Sequence, residues 1–171
     1  GQGLEVFDIS NPASPHQTGF QAGILNGIGG SSVDVSCDYA YVASEGRLQV
    51  VAISTPTHPR VVGASDWVGG ENEIGVAVSG SKLYLAGTFG LSIFDVSNPA
   101  KPSFEGSGGG HPGWTPPCIA VSGKYAFTTG DDSLDAYDVS IPVSPVKVGG
   151  WDGLGNPWKV VISGNHLFVA N

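Results

Sequence analysis

Four copies of one phrase run through this chain. LEVFDISNPASP begins at Leu4, LQVVAISTPTHP at Leu48, LSIFDVSNPAKP at Leu91 and LDAYDVSIPVSP at Leu134, at intervals of 44, 43 and 43 residues. In every copy a proline stands eight residues after the leucine, at Pro12, Pro56, Pro99 and Pro142. A second proline follows three further on (Pro15, Pro59, Pro102, Pro145), and a glycine four beyond that (Gly19, Gly63, Gly106, Gly149). Between these phrases lies another: VDVSCDYAYVA, VAVSGSKLYLA, IAVSGKYAFTT and VVISGNHLFVA. A period held across the whole chain marks a unit that is stacked on its own likeness.

One copy reads as four strands. The two halves of the second phrase are short alternating runs split by Ser-Gly or Ser-Cys-Asp, the pattern of a hairpin. The first phrase is a further alternating run, halted by Asn-Pro or its equivalent, because proline cannot donate to a sheet ladder. Stretches such as VVGAS and VKVGGW then supply a fourth, edge-like strand. No 3.6-residue period occurs anywhere, so the class is all-β. Four antiparallel strands in about 43 residues make the blade of a β-propeller.

The phrases L-x-[VI]-F-D-[IV]-S-N-P-x-x-P and V-x-V-S-G-x-Y-A-[YF] resemble the LVIVD-repeat family of β-propellers. The resemblance covers all four copies, and the second departs from it at Ala52, Thr55 and Thr57. It implies that the VxVSG strand is the innermost of each blade, beside a central channel. It also implies an extracytoplasmic or surface-anchored setting, with no catalysis carried by the repeat itself.

Residues 1–171 are therefore expected to form a single propeller domain or a segment of one. The chain starts on the third strand of a blade and ends, at HLFVAN, on the second. From Ala43 to Leu48, Ala86 to Leu91 and Thr129 to Leu134 the step is five residues, and from Ala170 through Asn171 round to Leu4 it is five again. This phase predicts that the N-terminal strands complete the last blade, leaving no open edge. Four copies fit a four-bladed ring, half of an eight-bladed ring, or a slice of a larger propeller.

Composition removes several functions. Hydrophobic residues make up 40% and charged residues 13% of the chain, with a net charge of −8. The apolar content belongs to a folded chain despite 27 glycines and 12 prolines. The acidic balance argues against nucleic acid, whose phosphates need a basic face. No apolar run reaches the roughly 18 residues of a spanning helix, so membrane insertion is not expected. Few lysines, no methionine and polarity carried by Ser, Thr, Asn and Gly suit an extracytoplasmic place.

Asp8, Asp95 and Asp138 share one repeat position, but an Asp before [IV]-S-x-P accepts a backbone hydrogen bond two residues on and shapes the turn. His16, His58, His111 and His166 are scattered in repeat phase, and metal ligands must converge; no metal or cofactor is expected. Cys37 and Cys118 fall at opposite ends of strands about 17 Å long. That exceeds the roughly 7 Å a disulfide spans, so free thiols are expected. The one G-x-G-x-x-G, at Gly108, Gly110 and Gly113, runs into WTPPC and opens no helix.

What remains are the connections between blades. Trp67, Trp114, Trp151 and Trp158 all lie between the fourth strand of one blade and the first of the next. Those segments vary while the rest stays regular, and loops on a rigid scaffold carry binding residues. Acids gather with them: Glu71 and Asp152 in the connections, and Asp131 in a neighbouring turn on the same face. With Asn72 and His111, they make a candidate ligand-binding rim, against the alternative that the indoles wedge between blades. The expected function is a non-enzymatic module binding a protein or glycan. Two alternatives stand beside it: self-association through the chain ends into a fibre or array, and a hydrolase or lyase using acidic residues at the channel mouth.

Overall fold

The structure, a computed structural model, describes residues 3–24, 31–44, 47–65, 75–87, 90–109 and 118–171. All regular elements among them are strands. β1 (Gly3–Asp8) and β2 (His16–Ala22) form a two-stranded sheet. β3 (Ser31–Ser36), β4 (Tyr39–Ser44), β5 (Arg47–Ala52) and β6 (Arg60–Ser65) form the first four-stranded sheet. β7 (Gly75–Ser79), β8 (Lys82–Gly87), β9 (Gly90–Asp95) and β10 (Ser103–Gly108) form the second. β11 (Ile119–Ser122), β12 (Tyr125–Gly130), β13 (Ser133–Asp138) and β14 (Val146–Asp152) form the third, and β15 (Lys159–Ser163) and β16 (His166–Ala170) form a last pair.

Every ladder is antiparallel and runs in chain order, as the alternating phrases predict. The VxVS strands sit side by side: β3 against β7, β7 against β11, β11 against β15. They are the inner strands of a fan of sheets. The proline turns stop each third strand. The hydroxyl-bearing turn residues help: the Ser10, Ser97 and Ser140 backbone N–H groups donate to Asp8, Asp95 and Asp138 at 2.7, 2.8 and 2.9 Å. The repeated aspartates are thus turn formers, as read from their sequence context.

Neighbouring sheets bury their faces on one another. Tyr41, Leu48 and Val50 of the first meet Leu83, Leu85 and Phe94 of the second. Tyr84, Leu91 and Ile93 of the second meet Ala126 and Tyr137 of the third. Sandwiched strands such as β8 are buried on both faces. The repeated glycine makes this approach possible on the outer strand. A Cβ on Gly63 would lie 2.1 Å from the carbonyl oxygen of Pro99, in the proline turn of the next sheet.

One expectation is corrected. Among the described residues the N-terminal strands do not complete the last blade: β1 is hydrogen-bonded there to β2 alone and β16 to β15 alone, so no closed ring is found and the number of blades is not fixed. Strand phase says which edges match, but packing decides where an element sits. Leu4 of β1 is packed against a cluster of Ile24 with Ala40, Val42 and Val51 of the first four-stranded sheet, the seam that successive sheets share.

Candidate functional site

The best-defined end of the fan lies around the connection from β14 to β15. The carbonyl oxygen of Asp132, in the β12–β13 turn, accepts the N–H groups of Gly153 and Leu154 at 2.8 and 2.9 Å. Its carboxylate accepts the N–H of Gly155 at 2.7 Å. Turn and connection are therefore one knit segment. Pro157 is fully buried, and the Trp158 N–H donates to the Ala170 carbonyl at 2.8 Å. The Trp158 carbonyl in turn accepts the Cys118 thiol at 2.9 Å. The backbone of Trp158 is pinned on both sides while its side chain is 65% exposed.

Of the expected site residues, Asp131, Trp151, Asp152 and Trp158 lie at this end. Asp131 is partly buried in the turn beside Asp132, and Asp152 is exposed opposite Ser133. Trp151 is 67% exposed and stands opposite Leu134. Neither indole wedges between sheets. Trp67, Glu71, Asn72, His111 and Trp114 fall outside the described residues.

The sequence reading missed two cations at the same end. Arg47 opens β5 opposite Ser44, and Lys159 opens β15 opposite Ala170. Both are exposed, so the rim is of mixed charge rather than purely acidic. A third missed residue is Asp34. Its carboxylate accepts the Val78 N–H at 2.7 Å, while the Ser32 hydroxyl accepts that of Val76 at 3.3 Å, tying β3 to β7. The signal was a charge in VDVS where the other copies have VAVS, IAVS and VVIS.

The repeat's own titratable groups are engaged elsewhere. Lys82 donates to Asp95 and Glu105, both at 2.7 Å, and Lys124 donates to Asp138 at 2.9 Å. The Lys82 and Ser97 hydrogen bonds hold Asp95 well below the usual carboxylate range. Bonds from Ser140 and Lys124 do the same for Asp138. Burial, with Asp135 beside it, pushes the Tyr137 hydroxyl up to about 12. Cys37 and Cys118 form no disulfide among the described residues, and burial raises the Cys118 thiol. Among the described residues, no three His, Cys, Asp or Glu side chains are grouped to hold a metal ion. None of the described elements is a helix long and apolar enough to cross a membrane.

These features define a class: stacked four-stranded antiparallel modules, with the connection from β14 to β15 tied to a neighbouring turn. The chain belongs to the LVIVD-repeat family, whose repeat matches residues 1–19, 29–66, 73–108, 118–152 and 154–171. Among solved structures it is similar to a functionally unknown protein from Desulfotomaculum acetoxidans DSM 771. The TM-score is 0.63 over 89% of this chain, at 12% identity. The chain spans 57% of that structure's length. That likeness is one of fold. No curated protein matches.

Proposed function

We propose that this chain is an arc of a β-propeller that binds a protein or glycan partner outside the cytoplasm and carries no catalysis of its own. The observation behind this reading is the pair of exposed indoles, Trp151 and Trp158, beside Asp132 and Asp152 on a backbone-bonded connection. Exposed aromatic faces on a hydrogen-bonded connection that also carries carboxylates suit the apolar face and hydroxyls of a sugar, or an anchoring loop of a protein. The arc reading is supported by the absence, among the described residues, of a ladder between β1 and β16. The extracytoplasmic setting rests on composition, and the non-enzymatic reading on repeated carboxylates that serve turns and ion pairs.

A glycan array probed with the labelled chain tests the sugar arm, and immobilised chain challenged with extracellular protein fractions tests the protein arm. The expected result is a retained partner whose binding drops by roughly tenfold or more in the double variant W151A/W158A, with an unchanged far-UV spectrum. Binding that survives the double substitution would move the site away from this rim.

A further inference from the structure

The two exposed indoles of the rim belong to different sheets. Trp151 stands on β14 of the third four-stranded sheet, opposite Leu134. Trp158 directly precedes β15 and is bonded through its N–H to Ala170 of β16, in the last pair. How far apart the indoles stand is therefore set by the chain between them and by what holds that chain.

Three successive N–H groups of this chain converge on one residue. Gly153 and Leu154 donate to the carbonyl oxygen of Asp132, and Gly155 donates to its carboxylate at 2.7 Å. The convergence needs a backbone that residues with a Cβ seldom adopt: Gly153 and Gly155 have φ of 91° and 76°. Asp132 lies in the β12–β13 turn, so the connection is fastened to the same sheet that carries Trp151. At the far end, buried Pro157 and the bonds from Trp158 to Ala170 and Cys118 fasten it to the last pair and to the start of β11.

The other copies lack this arrangement. In the β4–β5 and β8–β9 turns the place of Asp132 is taken by Gly46 and Phe89, neither of which has a side-chain oxygen. The connections that follow those modules, DWVGGENEI and GGHPGWTPP, carry one tryptophan each, whereas WDGLGNPW begins and ends on one. The carboxylate, the two left-handed glycines and the paired indoles occur together in a single copy.

We propose that Asp132 is a positioning residue of the rim. It fixes the course of residues 153–155, and through it the separation of Trp151 and Trp158, and its carboxylate serves the chain rather than the bound partner. The inference rests on the reading that these two indoles form the binding rim. A connection already held before a partner arrives has less freedom to lose when both indoles are engaged, so affinity depends on a residue that the partner does not touch.

Asp132→Ala removes the side-chain acceptor, and Asp132→Asn keeps an oxygen for the Gly155 N–H while removing the charge. Asp132 is exposed, and an unchanged far-UV spectrum checks that the sheets are intact. Nitrogen-15 relaxation of the backbone amides of residues 153–157 and of the two indole N–H groups reads the positioning in the free protein. Asp132→Ala is expected to raise their fast motion, with Asp132→Asn close to wild type. The glycan or protein retained in the screens above is the probe for affinity. Its dissociation constant is expected to rise by about threefold to tenfold in Asp132→Ala and to be restored in Asp132→Asn. Unchanged relaxation in Asp132→Ala overturns the proposal with no partner needed. An equal loss of affinity in both variants also overturns it, by assigning the carboxylate charge to the partner. Wild-type affinity in Asp132→Ala, beside loss in W151A/W158A, overturns the role of Asp132 and leaves the rim standing. Wild-type affinity in W151A/W158A overturns the rim itself, and this inference with it.

Discussion

At Cys37 the backbone turns with a φ of 52°, in the place where Gly80, Gly123 and Gly164 turn with 60°, 58° and 57°. The left-handed conformation costs a residue with a Cβ about 1 kcal/mol and costs glycine nothing comparable. Cys37→Gly is therefore expected to stabilise the chain by about 1 kcal/mol, raising Tm by about 2–4 °C, which calorimetry reads directly. The aspartates at the turns make a second, opposite kind of statement. Asp8, Asp95 and Asp138 are all held below the ordinary carboxylate range in the folded chain. The unfolded chain thus takes up protons first as the solution is acidified. Stability from these groups is full above the usual carboxylate pKa of about 4 and is lost as pH falls toward the folded values. Urea midpoints followed downward from neutral pH should fall through that range, and the fall should be shallower in Asp138→Asn.

At the scale of strands and sheets, two contacts separate what packs from what merely repeats. Asp34 links β3 to β7 through a charge-assisted hydrogen bond that no other copy has the residue to make. Asp34→Ala is expected to cost about 1.5 kcal/mol in chemical denaturation, by leaving the Val78 N–H without that acceptor. Gly63 lies against the Pro99 carbonyl, so Gly63→Ala forces two backbones apart and should cost about 1–3 kcal/mol. Gly149→Ala, with open space around it, should cost the isolated chain almost nothing. The paired measurement separates a glycine needed by its own strand from one needed by its neighbour.

The four-stranded modules were readable from two cues, the VxVSG hairpin and the proline pair, because both act within a few residues of chain. The turn role of Asp8, Asp95 and Asp138 was readable for the same reason. Closure was not. How far each sheet leans on the next depends on the side chains filling the gap between them, such as Tyr41 and Phe94, and a period carries no measure of that volume. Arg47, Lys159 and Asp34 were passed over because each stands at a position where the other copies have something else. Of the rim, the tryptophans stood out by their place between modules, and the turn at Asp132 that anchors one connection became visible only through its hydrogen bonds.

Over the whole molecule, stability in such a fan is the sum of modules and the seams between them. The first and second four-stranded sheets share one core and the second and third another, while the N-terminal pair and the last pair each have two strands among the described residues. Native-state hydrogen exchange should show it: amides of β4, β5, β8 and β9 protected most strongly, those of β1, β2, β15 and β16 exchanging first. Uniform protection across all sixteen strands would contradict the end-to-centre gradient.

The meeting of Gly63 with the Pro99 turn carries a consequence for how such chains change over time. The residue that must stay small is encoded in one copy, and the obstacle that keeps it small is encoded in the next. Selection on that glycine is therefore exerted by a neighbour, so copies remain interchangeable only while every one keeps both halves of the bargain. Duplicating or deleting a whole period leaves all such partnerships satisfied, whereas the loss of one proline turn would free a glycine elsewhere to drift.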